Sequence, residues 1–99
     1  MKKIDKILSI YNNTELKKLN VDQKELWLRA KIVFQFVVLR KQKGYSQQEI
    51  ADKMGVLRQQ ITRFENMNNS PTVFFLVKYA CALDTELDVL LKDIELIEV

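Results

Sequence analysis

Residues that interrupt regular secondary structure are scarce in this chain, and their scarcity restricts its fold more than any other feature. Its 99 residues include only two glycines and one proline, whereas β-rich folds place many such residues at their turns. Apolar residues make up 47% of the chain, which suits a single domain with one modest hydrophobic core. The composition therefore predicts one domain of the all-α class.

The rarer side chains limit the chemistry that the chain can perform. It has no histidine and one cysteine, Cys81, so it lacks the commonest metal ligand, the usual acid–base catalyst and an internal disulfide. It also lacks a glycine-rich phosphate-binding loop. We therefore expect no enzymatic activity, no metal and no cofactor. No apolar run approaches the ~20 residues that span a bilayer, and the first residues lack the apolar core of a signal peptide, so we expect a cytoplasmic protein outside any membrane.

Charge is distributed unevenly along the chain. Residues 1–45 carry 11 lysines and arginines against 4 aspartates and glutamates, whereas residues 46–99 carry 5 against 9. A basic half can lie near the phosphates of a nucleic acid, but it can equally be a set of solvated helix faces. Charge alone leaves both interpretations open.

Apolar spacing and end signals predict two helices before Gly44. Asp22 followed by Glu25 resembles a capping box, so a long helix is predicted from Asp22 to Lys43, with Gly44 as its left-handed C-cap. Before it, residues 1–11 carry apolar residues at three- and four-residue spacing, which is typical of an amphipathic helix. That apolar stripe consists of Ile4, Ile7, Leu8 and Tyr11.

Two short helices are predicted next. Ser46 and Glu49 form a second capping box, and Gly55 ends that helix after about two turns. Apolar residues at positions 57, 61 and 64 define the buried side of the following helix, from about Arg58 to Asn66. Its opposite side is polar and carries residues able to hydrogen-bond with bases, namely Arg58, Gln59, Thr62, Arg63 and Asn66.

The C-terminal part of the chain contains one further clear helix. Residues 66–71 are typical of a loop, and Thr72 is a suitable N-cap for an apolar helix over residues 73–83. Residues 87–91 favour a short final helix. Residues 94–99 are compatible with a frayed tail or with a terminal strand, and periodicity over so short a segment does not decide between them.

An ordered series of motif residues runs through the second half of the chain. Ala51 lets two helices approach closely, Gly55 permits a sharp turn, and Ile61 fills a shared core. The series consists of Leu39-Arg40, Gly44-Tyr45-Ser46-Gln47, Glu49-Ile50-Ala51, Gly55-Val56, Ile61, Glu65-Asn66, Pro71, Ala82-Leu83, Leu87 and Leu90-Leu91. Through these residues the chain resembles the phage-repressor (Xre-like) helix-turn-helix family.

This resemblance implies a lambda-repressor-like bundle of about five helices, here with an extra N-terminal helix. The corresponding division of the chain is an amphipathic extension over residues 1–21, a DNA-binding domain over residues 22–91 and a tail over residues 92–99. The resemblance also implies an ion pair between Arg40 and Glu65, which would tie the end of the long helix to the end of the short helix that follows Gly55.

The function that the resemblance implies is sequence-specific binding of double-stranded DNA by a transcriptional regulator, as a repressor. The helix from about Arg58 to Asn66 would enter the major groove, where glutamine can pair with adenine and arginine with guanine. The implied base-reading residues are Arg58, Gln59, Thr62 and Arg63. The implied phosphate contacts are Lys43, Ser46, Gln47, Asn66, Asn68 and Asn69.

Two residues depart from the family pattern. Leu57 stands where the family usually has a serine or threonine cap, and a leucine side chain cannot accept a hydrogen bond from the free backbone N–H groups. Met67 stands where the family usually has glycine, and a methionine with positive φ is strained. Asn66 or Asn68 could adopt that conformation in its place.

The partners of the domain remain open at this point. The run over residues 73–77 is apolar on all sides, which favours a homodimer whose interface includes Phe74, Phe75 and Val77. The long helix and the amphipathic stretch before it are also similar to HigA-like antitoxins, and that similarity implies a toxin partner. The N-terminal helix would then either pack on its own domain or capture the partner. A protein-interaction module that has lost DNA binding is a further alternative.

Overall fold

The computed structural model of the chain describes residues 2–12 and 15–97, and these residues form helices and connecting loops without a strand. The all-α prediction is therefore confirmed. None of the helices within these ranges is long and apolar enough to cross a membrane. The elements are α1 (Lys2–Asn12), a 3-10 helix (Leu16–Lys18), α2 (Val21–Gln42), α3 (Gln47–Met54), α4 (Arg58–Glu65), α5 (Val73–Ala82) and α6 (Leu87–Ile97).

Helix α2 begins one residue earlier than the sequence pattern indicated. Its N-cap is Asn20, whose side-chain oxygen accepts a hydrogen bond from the Gln23 N–H at 2.8 Å, while Gln23 Oε1 accepts from the Asn20 N–H at 2.9 Å. The prediction that Asp22 and Glu25 form the capping box was wrong, because this reciprocal pair already satisfies two free donors. Asp22 lies within the first turn, where its charge suits the positive end of the helix dipole.

The other helix ends lie close to their predicted positions. Gly44 and Gly55 have φ of +77° and +70°, a region that costs glycine little because it lacks a Cβ. Ser46 and Glu49 form the predicted capping box of α3, and Thr72 Oγ1 accepts from the Phe75 N–H at the start of α5. The last helix is longer than residues 87–91, since α6 continues to Ile97. The terminal-strand alternative was therefore wrong for 94–97, whereas residues 98 and 99 lie outside the described ranges.

An aromatic cluster at the centre of the core joins α2, α4 and α5. The ring centroids of Phe36 and Tyr79 are 4.8 Å apart, and Phe64 lies 5.7 Å from Phe36 and 5.5 Å from Tyr79. Rings at such separations and tilts pack favourably beyond the apolar area that they bury. Each ring comes from a different helix, so the cluster fixes how α4 is oriented relative to the rest of the bundle.

The N-terminal helix belongs to the same core. Ile4 and Leu8, the buried part of its apolar stripe, join the central cluster of buried residues, and α1 packs mainly along α2. Ile7 is partly buried against the same cluster. The chain's own residues therefore cover Ile4 and Leu8, which fits packing on the domain, whereas capture of a partner protein by this helix stays a prediction.

Candidate nucleic-acid interface

Helices α3 and α4 form a compact pair joined by a short turn. Ile50 and Ala51 of α3 and Ile61 of α4 have no solvent exposure, and the small side chain of Ala51 allows the two helices to pack closely. The Val56 N–H donates to the Ala51 carbonyl at 3.0 Å, which closes the turn after Gly55. The geometry is that of two helices held in one rigid unit.

The N-terminus of α4 is only partly capped. Leu57 occupies the N-cap position, its side chain makes no capping hydrogen bond, and the residue is 64% exposed. Gln60 Oε1 accepts from the Leu57 N–H at 2.9 Å, which supplies one half of a capping box. The expected loss of the side-chain cap is therefore present, although the Gln60 N–H donates to the Leu57 carbonyl at 3.0 Å.

The polar side of α4 faces away from the core. Arg58, Gln59 and Arg63 are exposed, whereas Ile61 and Phe64 are buried on the other side of the same helix. Thr62 differs from its neighbours on the polar side, because it is half-buried and its hydroxyl donates to Gln47 Oε1 at 3.0 Å. Three of the four residues proposed to read bases are thus exposed together, and the fourth is tied to α3.

A buried carboxylate holds α4 to three other parts of the chain. Glu65 Oε1 accepts from Arg40 Nη2 at 2.8 Å and from Gln47 Nε2 at 3.1 Å, and Oε2 accepts from Arg40 Nε at 2.8 Å and from the Tyr79 hydroxyl at 2.7 Å. Arg40 Nη1 also donates to the Tyr45 carbonyl at 2.8 Å. The ion pair between Arg40 and Glu65 is therefore formed, with both residues 7% exposed. Each carboxylate oxygen has two donors, so the buried charge is well compensated.

The network raises the pKa values of Tyr79 and Arg40. Burial raises the pKa of Tyr79 far above its ordinary value, and the charge and hydrogen bond of Glu65 raise it further, so the phenol stays neutral. Burial acts to lower the pKa of Arg40, but the hydrogen bonds and charge of Glu65 outweigh it and the pKa is raised. A neutral phenol and a charged guanidinium are the donors that a carboxylate requires.

Sequence reasoning did not single out Tyr79 as a partner of Glu65. The available signal was a tyrosine within the otherwise apolar run of α5, because a buried phenol O–H needs an acceptor. Gln47, predicted as a phosphate contact, also belongs to this network through both ends of its amide. The network therefore runs from α5 through α4 to the first residue of α3.

A non-glycine residue with positive φ lies just after the C-terminal end of α4. Met67 has φ of +62° and is 4% exposed, while Asn66 has φ of −91°. The alternative that Asn66 or Asn68 takes the left-handed conformation was wrong, because burial of the Met67 side chain favours placing the turn at that residue. The Met67 N–H donates to the Phe64 carbonyl at 3.1 Å, and the Asn68 N–H donates to the Arg63 carbonyl at 2.9 Å.

Two cations from earlier helices reach this end of α4. Lys3 Nζ and Arg29 Nη1 each lie 3.4 Å from the Met67 carbonyl oxygen, and Arg29 Nη1 also donates to the Asn69 carbonyl at 2.8 Å. Arg29 pairs with Glu25 through two contacts of 2.9 and 3.0 Å. The loop after α4 is thus tied to α1 and α2.

The residues expected to contact phosphate lie around both ends of this helix pair. Lys43, Asn66 and Asn68 are exposed. Ser46 Oγ accepts from the Glu49 N–H, so it acts as the N-cap of α3. Asn69 is half-buried, and its Oδ1 atom is buried without a hydrogen-bond partner among the described residues. Their contacts with DNA remain predictions.

Helix α5 has one exposed apolar side. Val73, Phe74 and Val77 are 70%, 72% and 41% exposed. Phe75 lies on the other side, with its ring centroid 5.2 Å from that of Phe64. Phe75 is half-buried, and its place in the predicted dimer interface stays a prediction. No group of metal-ligating side chains is present in the described ranges.

Just over half of the chain matches a known protein family. Residues 38–90 match the family model described as helix-turn-helix, which is just over half of the chain and extends from the end of α2 into α6. The chain belongs to the helix-turn-helix family. The segment therefore holds both helices of the motif and the whole Glu65 network, whereas α1 lies outside the match.

Three helix-turn-helix relatives match just over half of the chain. The chain is 38% identical over 55 residues to the HTH-type transcriptional regulator SinR of Bacillus licheniformis and, at the same identity and length, to SinR of Bacillus subtilis strain 168, covering 54% of this chain and 50% of each relative. It is 42% identical over 53 residues to the uncharacterized HTH-type transcriptional regulator YqaE of Bacillus subtilis strain 168, covering 54% of this chain and 46% of the relative. The chain thus spans about half the length of these curated relatives. No solved structure gives a significant match.

Proposed function

We propose that this protein is a DNA-binding transcriptional regulator that reads its operator with α4. The observation that carries the proposal is the exposure of Arg58, Gln59 and Arg63 on one side of α4 while the opposite side is fixed in the core. Arginine can pair bidentately with guanine and glutamine with adenine in the major groove. In this arrangement α3 crosses the DNA backbone and α4 lies in the groove.

The relatives support the same function. All three are named HTH-type transcriptional regulators, and the family model matches the segment that contains α3 and α4. Between activation and repression of transcription, we propose repression, since a bound domain can block access to a promoter by occupying it.

Gln47 is proposed to anchor the backbone. A glutamine amide has two N–H donors, and Glu65 accepts from Nε2 while Thr62 donates to Oε1. One N–H is left for a phosphate oxygen, and the network fixes the plane of the amide. Exposed Lys43, Asn66 and Asn68 and the capping residue Ser46 are proposed as further phosphate contacts, together with the less accessible Asn69.

A homodimer is proposed as the form that binds the operator. The exposed apolar side of α5, with Phe74 and Val77, would pack against the same side of a second copy. Two reading helices on one face then engage half-sites about 34 Å apart, and linking them raises affinity. Sedimentation of a Phe74→Ser variant should show a monomer at a concentration where the wild type is a dimer. A wild-type monomer at micromolar concentration would contradict the proposal.

The regulator proposal is tested by selecting binding sites from random duplex DNA and then measuring the affinity of variants for the enriched sequence. Arg63→Ala should cost about 1–3 kcal/mol of specific binding, and Gln59→Ala should relax the preference at one base position. Lys92→Ala, on α6, is the matched control and should bind like the wild type. Failure to enrich any sequence would contradict the regulator proposal and favour an interaction module. Unchanged binding by both α4 variants would contradict the assigned base-reading side.

A further inference from the structure

The loop that follows the proposed reading helix lacks charge of its own. Residues 66–72 contain no lysine, arginine, aspartate or glutamate. When α4 lies in the major groove, the loop at its end lies near the sugar–phosphate backbone. A cation beside this loop therefore has to come from another part of the fold. The structure places two there, Lys3 and Arg29.

Of these two cations, Arg29 is already used inside the protein. Its guanidinium contacts both oxygens of Glu25 and two loop carbonyls, and its side chain is 15% exposed. Lys3 is exposed, and its Nζ lies 3.4 Å from the Met67 carbonyl oxygen and 3.5 Å from Asn68 Oδ1. An ammonium group has three N–H donors. It can therefore keep a loop contact and still donate to an external oxygen.

The position of Lys3 is set by the core. The next residue, Ile4, is 1% exposed, and Leu8 one turn later is also buried. The backbone that carries Lys3 is therefore anchored, and only the flexible side chain has to be ordered when a ligand binds. A preplaced cation loses less conformational freedom than one on an unstructured tail.

We propose that Lys3 of α1 is a DNA-phosphate contact that extends the interface beyond the helix-turn-helix segment. The inference rests on the proposed function, because it requires that α4 meets duplex DNA. It assigns α1, which lies outside the family match, a direct part in binding. The competing explanation is that Lys3 only complements the negative C-terminal end of α4. That role would affect folding without releasing counterions from DNA.

Salt dependence separates the two explanations. The probe is a fluorescein-labelled duplex of mixed sequence and about 30 base pairs, since phosphate contacts need no operator. Each phosphate neutralised contributes about 0.9 to the slope of log affinity against log salt. Lys3→Gln should therefore lower the slope by about 0.9 for each bound protomer, so that per protomer the ratio of wild-type to variant affinity falls about 3.5-fold from about 50 to 200 mM salt. Lys3→Arg should retain the wild-type slope.

Lys92→Gln on α6 is the matched control, because it removes the same charge from an exposed lysine on a helix that packs mainly on α2 and α5. Its slope should equal that of the wild type. If Lys3→Gln also keeps the wild-type slope, the phosphate contact is overturned and the regulator proposal stands. An equal loss of slope in Lys3→Arg would likewise overturn it, because positioning and not charge would then be the cause. Absence of wild-type binding at the lowest salt would overturn both proposals.

Discussion

Replacing Glu65 with alanine should destabilise the fold more than replacing any exposed carboxylate. The side chain accepts four hydrogen bonds from Arg40, Gln47 and Tyr79. Its removal leaves a guanidinium that is 7% exposed without its counter-ion and a buried phenol without its acceptor. Removing one partner of a buried ion pair typically costs about 3–5 kcal/mol.

That cost is large relative to the total free energy of unfolding. A chain of this length has a free energy of unfolding of roughly 5–15 kcal/mol, so Glu65→Ala should lose about a fifth of it or more. For a domain of this size 1 kcal/mol corresponds to about 4–8 °C in Tm. The melting temperature, followed by circular dichroism, should therefore fall by at least about 12 °C.

Glu25→Ala provides the control, because Glu25 also contacts an arginine through both oxygens, at 2.9 and 3.0 Å. Its side chain is 50% exposed, and Arg29 keeps its two carbonyl partners. Exposed pairs contribute about 0–1 kcal/mol. Equal melting temperatures for the two alanine variants would refute the view that burial of the Arg40–Glu65 pair makes it structurally important.

Three smaller changes test other parts of α4 and the network. Met67→Gly relieves about 1 kcal/mol of left-handed strain but loses a side chain that is 4% exposed, whose removal costs about 2–5 kcal/mol. Denaturant unfolding should therefore show net destabilisation, and a more stable variant would contradict this balance. Leu57→Ser adds the missing cap and removes a leucine that is 64% exposed. The free energy of unfolding should therefore rise by about 0.5–1 kcal/mol. No rise would mean that Gln60 already caps the helix. The pKa of Tyr79 is raised in the fold from an ordinary value of 10.0. The stability that its neutral form contributes is thus present in full below pH 10 and lost as pH rises above it. Wild-type Tm should fall more steeply than that of Tyr79→Phe in this alkaline range, and parallel curves would contradict the assignment.

Local signals predicted most of the helix boundaries. Gly44, Gly55, Ser46 and Thr72 each control their own turn, so their effect can be recognised from a few neighbouring residues. The Arg40–Glu65 pair joins residues 25 positions apart, and only the resemblance to a known family indicated it. The start of α2 was missed because Asn20 and Asp22 are both good N-caps, and local preference alone does not rank them.

Contacts between distant segments could not be predicted in the same way. Periodicity placed an apolar run in α5 but did not separate exposed Phe74 from Phe75, which packs on Phe64. Lys31 is fully buried with its Nζ 3.8 Å from the centre of the Trp27 ring, although a lysine is normally expected in solvent. The approach of Lys3 to the loop after α4 depends on the tertiary packing of α1. These features arise from the assembled bundle and have no signature in a short window of sequence.

Under the proposed function, the division of α4 into a fixed side and an exposed side also determines how easily DNA preference can diverge. Exchanges at Arg58, Gln59 and Arg63 remove no hydrogen bond from the buried network, so new specificities can accumulate there while the fold is retained. Thr62 is different, because its hydroxyl holds the amide of Gln47, which in turn donates to Glu65. A designer who redirects this domain to a new operator should randomise positions 58, 59 and 63 and keep the threonine.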